Sequence, residues 1–95
     1  MKEIEELRKQ LTHPEFIEYI KNHGTLLEHE VIGLPNDKYS EPVLIEYLGV
    51  YFIFYEVFEN HMELVRFYDE KYFNSEYTAR KEYNSLLITL PIEQN

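Results

Sequence analysis

Glu56 and Arg66 come closest to residues that could do chemistry. Glu56 stands between Phe54 and Phe58 in the most apolar run of the chain. A carboxyl buried there would keep its proton to higher pH and could serve as a general acid or base. A structural role competes with that. With a tight turn centred on Asn60, Glu56 lies beside Leu64 on the next strand and Arg66 is within diagonal reach, so the two form an ion pair that supports a sheet. We take the pair as the expectation and assign no catalytic residue.

The other reactive side chains fall into no catalytic pattern. His13, His23, His29 and His61 form no HxH, HExxH or similar pair, whereas a metal site needs several ligands at fixed spacing. In Glu28-His29-Glu30 a strand would turn the histidine away from both glutamates. Ser40 reads as loop, Ser75 as a helix cap and Ser85 as helix surface. Gly24, Gly33 and Gly49 are too scattered for a phosphate loop. The chain has no cysteine, so thiolate metal sites, disulfides and cysteine nucleophiles are out, as suits a reducing cytoplasm. Neither a metal nor a cofactor is implied.

What stands out instead is charge and tyrosine. The formal net charge is −9. It is uneven: residues 1–24 and 65–95 each carry −1, whereas residues 25–64 carry −7. Nucleic-acid binding relies on Lys and Arg to displace phosphate counterions, so direct binding is not expected. An acidic face can be simple solvation, or it can steer a basic protein into contact. Nine tyrosines suit both core edges and interfaces. Tyr51, Tyr55, Tyr68 and Tyr83 are expected to line the core. Glu28, Glu30, Asp37, Tyr39, Glu41, Glu46 and Tyr47 are the expected partner-binding set.

These side chains must be positioned by one α+β domain spanning residues 1–95. Residues 1–11 carry Ile4, Leu7 and Leu11 at helical spacing, with acids early and bases late. Pro14 opens a second helix capped by Thr12 or His13, and Gly24 closes it. Residues 25–32 read as a strand, and 33–42 as a loop with turn chemistry at Pro35-Asn36-Asp37. Residues 43–48, 50–59 and 62–68 read as three further strands, the first two joined at Leu48-Gly49. Strand 50–59 is apolar on both sides, as in a mid-sheet strand. Residues 69–73 read as a connector. The last helix, capped by Asn74 or Ser75, carries Ala79, Tyr83, Leu86, Leu87 and Leu90 on one stripe and ends at Pro91. The expectation is a four-stranded antiparallel meander, with an N-terminal helix or helix pair and a C-terminal helix packed on one face. The N-terminus is too charged for a signal peptide, and no apolar run is long enough to span a membrane.

Phe54-Tyr55-Glu56, Leu64-Val65-Arg66-Phe67 and the helix opening Ser75-Glu76 with Ala79 resemble the small acidic immunity proteins of bacterial polymorphic toxin systems. The resemblance covers residues 50–87. It departs at Val57-Phe58, where a charged pair is usual, and at the 69–73 insert. It implies a cytoplasmic, non-enzymatic inhibitor that binds and blocks a cognate toxin or nuclease. Alternatives are a phage-encoded inhibitor that imitates nucleic acid, a small ligand-binding domain using Glu56 and Arg66, and a structural subunit of a homodimer. Only two of the eighteen acids are Asp and they form no regular double row, which disfavours the nucleic-acid mimic.

Overall fold

The computed structural model describes the backbone of residues 2–59 and 64–93 and the side chains of residues 2–59 and 71–92. The element order is α1 (Lys2–Gln10), α2 (His13–His23), β1 (Thr25–His29), β2 (Ile32–Leu34), β3 (Lys38–Ser40), β4 (Val43–Tyr47), β5 (Val50–Glu59), β6 (Leu64–Phe73) and α3 (Glu76–Glu93). The fold is α+β, with an open, wholly antiparallel sheet.

Six strand segments make four rows. β3 and β4 both pair with β5, and their registers are continuous: Ser40 faces Val57 and Val43 faces Phe54. They are one row interrupted at Glu41-Pro42, where proline has no N–H to give to a ladder. β1 and β2 likewise form one row, since His29 faces Val43 and Ile32 faces Ser40. The sheet is therefore the expected meander, with row order β1–β2, β3–β4, β5, β6. Side chains take over where the ladder breaks. The buried Ser40 hydroxyl donates to the Glu56 carbonyl at 2.7 Å. The Tyr83 hydroxyl and the Glu30 N–H both donate to the Pro42 carbonyl, at 2.9 and 3.3 Å.

The turns follow local chemistry. Leu48 (φ 52°) and Gly49 (φ 79°) are both left-handed, as a two-residue primed hairpin turn requires. Asn36 and Asp37 take φ near 60° between β2 and β3, a conformation Asn and Asp tolerate well. Thr12 caps α2 in a full capping box with Glu15, whose carboxyl these hydrogen bonds hold below its usual range. Ser75 caps α3 through its hydroxyl to the Thr78 N–H.

Four expectations are corrected. Residues 33–42 are not a loop: they form the β2–β3 hairpin, because Ile32, Leu34 and Ser40 alternate into the sheet. Residues 69–73 are not a connector: β6 runs on to Phe73, paired with Tyr51. α3 continues past Pro91 to Glu93, with proline in its last turn. The helices do not share one face. α1 and α2 cover one face, burying Ile4, Phe16, Ile17 and Ile20 against Ile45, Val50, Phe52 and Phe54. α3 covers the other, burying Ala79, Tyr83, Leu86 and Leu90 against Leu34, Leu44, Ile53, Tyr55 and Val57. A central strand apolar on both sides demands cover on both sides. Tyr55 and Tyr83 are core as expected and Tyr51 is half-buried against the same cluster. Glu59, expected in a turn, is the last residue of β5; the side chain of Tyr68 and residues 60–61 lie outside the described residues.

The chain passes from α2 into β1 through Gly24. A Cβ there would run into the Ile45 side chain and lie 2.8 Å from the Ile20 carbonyl oxygen, so the residue must lack one.

Candidate functional site

The expected partner-binding residues divide between the two faces of the sheet. A bulge in β1 between Leu26 and Glu28 turns Leu27 and Glu28 to the α3 side together, where strict alternation would separate them. Glu28 there accepts from Arg80 at 2.6 Å, and Arg80 also donates to Glu76 at 2.9 Å. Both carboxylates hold the guanidinium above its ordinary pKa. Glu28 and Glu30 lie near Tyr83, whose hydroxyl is pushed up to about 12 by burial first and by these charges second. Glu46 shares the α3 side, opposite Tyr51.

Tyr39, Glu41 and Tyr47 lie on the α1/α2 side, and Asp37 lies at the tip of the β2–β3 hairpin. Tyr47 is held by the helices. Its ring packs edge-on against Tyr19 at 5.9 Å, their hydroxyls are 3.4 Å apart, and Tyr19 stacks on His23 at 4.0 Å. The Tyr19 hydrogen bond and burial push the Tyr47 hydroxyl up to about 12. A groove of about 370 Å3 opens beside this pair, between Lys2, Glu3, Glu6 and Leu7.

Glu56 also faces the α1/α2 side. Its carboxylate accepts from Lys21 of α2 at 3.0 Å. The β5–β6 register differs from the expected one: Leu64 faces Phe58, and the ladder becomes irregular between Tyr55 and Val57. Arg66 falls in that irregular stretch, and its side chain lies outside the described residues.

The feature that sequence reading missed is the part of this face that α1 and α2 leave bare. Tyr39 and Phe58 are direct cross-strand partners with stacked rings, centroids 5.0 Å apart and planes 19° apart. Both are half-buried rather than buried, and neither belongs to either core cluster. Val31 beside them is 61 % exposed. Glu41 joins this patch to a groove of about 250 Å3 lined by Lys21, Leu26, His29, Glu41, Val43 and Ile45. His29 opens here, away from Glu28 and Glu30. Asp37, Glu41, Glu30, Glu46 and Glu59 make no ion pair among the described residues. The available signal was Phe58 itself, an aromatic residue one position from the end of a strand otherwise read as core.

Among the described residues, no three His, Asp or Glu side chains converge as metal ligands, and no helix is long and apolar enough to cross a membrane. Comparison with known proteins finds no matching family model, no matching curated protein and no matching solved structure.

Proposed function

We propose that this protein is a non-enzymatic inhibitor of the immunity-protein type, which binds a basic protein, a toxin or nuclease, through the bare end of its α1/α2 sheet face. The observation that carries the reading is the coincidence on one face of a partly exposed aromatic pair, Tyr39 and Phe58, with Glu41, which makes no ion pair among the described residues, and with Asp37 at the adjoining hairpin tip. Apolar contact supplies affinity where it is desolvated, and the excess negative charge speeds and orients encounter. The acids on the α3 side, Glu28, Glu30 and Glu46, contribute to the long-range field rather than to the contact. The same reading takes the protein to be cytoplasmic and bacterial, needing no cofactor and contacting neither nucleic acid nor membrane.

The test is a pull-down from native lysate at low salt, run in parallel with a Tyr39→Ala, Glu41→Gln variant. One basic protein should be retained in near-stoichiometric amount by the parent, shed as salt rises, and lost from the variant. Retention that ignores both salt and the variant would overturn the reading. A second reading, a small-ligand domain, is favoured by the 370 Å3 groove at Tyr19 and Tyr47. It predicts thermal stabilisation by a metabolite that Tyr47→Ala abolishes.

A further inference from the structure

We infer that the Tyr39–Phe58 pair is a platform for an arginine side chain of the partner, so that recognition depends on arginine rather than on positive charge in general. This rests on the proposed reading of the protein as a binder of basic proteins.

Three observations lead there. First, the rings are nearly parallel and only partly buried, and the neighbouring row offers no obstruction. Gly33 sits opposite Tyr39, and a Cβ built on it would meet nothing within 4 Å. A flat cation can therefore lie over the pair and extend toward β2. A guanidinium is planar, weakly hydrated and stacks on aromatic faces, whereas an ammonium is compact and strongly hydrated.

Second, the rim is acidic. Glu41 lies two residues along the row from Tyr39 on the same face, and Asp37 lies at the hairpin tip. Lys21 borders the adjoining groove together with His29, and its ammonium is already engaged by Glu56 at 3.0 Å. A guanidinium stacked on Tyr39 thus has carboxylate acceptors within reach of its edge donors, a geometry an ammonium uses less well.

Third, the protein makes this kind of contact within itself. At the covered end of the same sheet, the Arg8 guanidinium lies 4.3 Å from the centre of the Phe16 ring and 5.4 Å from that of Tyr72. There α1 supplies the arginine. At the open end no helix does, and the partner takes that place.

The test uses the full chain and two probes of equal length and charge, a blocked hexa-arginine and a blocked hexa-lysine peptide, titrated at low salt by calorimetry or by amide chemical shifts. The arginine peptide should bind about 3- to 10-fold more tightly, in line with a cation–π preference of about 1 kcal/mol, and should shift resonances of Tyr39 and Phe58. Tyr39→Leu keeps an apolar side chain but removes the ring. It should bring the arginine peptide down to the lysine level and leave the lysine peptide unchanged, with melting curves confirming the fold. Glu41→Gln should weaken both. Equal binding of the two peptides, untouched by Tyr39→Leu, would overturn the platform and leave the basic-partner reading standing. Binding of neither peptide would overturn both.

Discussion

The two ends of one sheet face are built from the same kinds of residue and have opposite fates. At the covered end, Phe52 and Phe54 of β5 stack at 5.7 Å and are buried beneath Phe16, Ile17 and Ile20 of α2 and Ile4 of α1. At the open end, Phe58 of the same strand stacks with Tyr39, stays partly exposed and lies outside that cluster. Alternation along β5 does not distinguish them. Cover does: the cluster under α1 and α2 takes in Phe52 and Phe54 but not Phe58, whereas the cluster under α3 reaches Val57. A binding surface can thus arise from a shortfall of cover rather than from any special residue.

The sharpest way to break this comparison is to truncate one phenylalanine at each end. Phe52→Ala should cost about 3–5 kcal/mol in urea unfolding, as for a wholly buried ring that leaves a cavity. Phe58→Ala should cost well under half of that, because the site is half-open and can collapse. Equal losses would mean that the open end is core.

Next in size is the buried tether on the α3 side. Tyr83→Phe leaves the Pro42 carbonyl without its hydroxyl donor and should cost about 1–2 kcal/mol. The same residue gives an alkaline signature. Its folded pKa is about 12, against an ordinary value of 10. The neutral phenol is thus favoured by folding, and that contribution is intact below pH 10 and declines as pH rises toward 12. Tyr83→Phe should flatten part of the fall in stability across that interval, and an unchanged slope would refute the assignment. Smallest is Thr12→Ala, which removes the capping box and should lower stability by about 1 kcal/mol without affecting partner binding. If binding fell too, α2 would be part of the contact surface.

Much of the fold was legible in the sequence. The helix stripes through Ile4 and Leu7 and through Ala79, Tyr83 and Leu90, the cap at Thr12, the Leu48-Gly49 turn and the four-row meander all followed from local spacing. What was not legible depended on distant neighbours. The 33–42 segment looked like a loop because Pro35, Asn36, Asp37 and Pro42 are loop residues, yet three residues on each side of the turn suffice to pair when β5 is there to extend the sheet. The candidate site was legible by type but not by location. Glu28 and Tyr39 are close in composition terms, and a single bulge in β1 together with sheet alternation puts them on opposite faces.

The interruption at Glu41-Pro42, matched across the sheet by Glu30-Val31 and bridged by the Glu30 N–H to the Pro42 carbonyl, is also expected to divide the molecule dynamically. Ladder hydrogen bonds carry cooperativity from one strand residue to the next, and here they give way to Ser40 and Tyr83 side-chain bonds. The β2–β3 hairpin is tied to the rest by three cross-strand pairs, the Ser40 hydroxyl, the Tyr39–Phe58 stack, and Ile32 and Leu34 against the α3-side core. It is therefore expected to open as a separate unit. In native-state hydrogen exchange, the protected amides of residues 32–34 and 38–40 should exchange at a lower opening free energy than those of residues 43–47 and 50–54. The surface offered to a partner would then be the part of the sheet that breathes first, and capture of that partner should be visible as slowed exchange in residues that lie at the edge of the core.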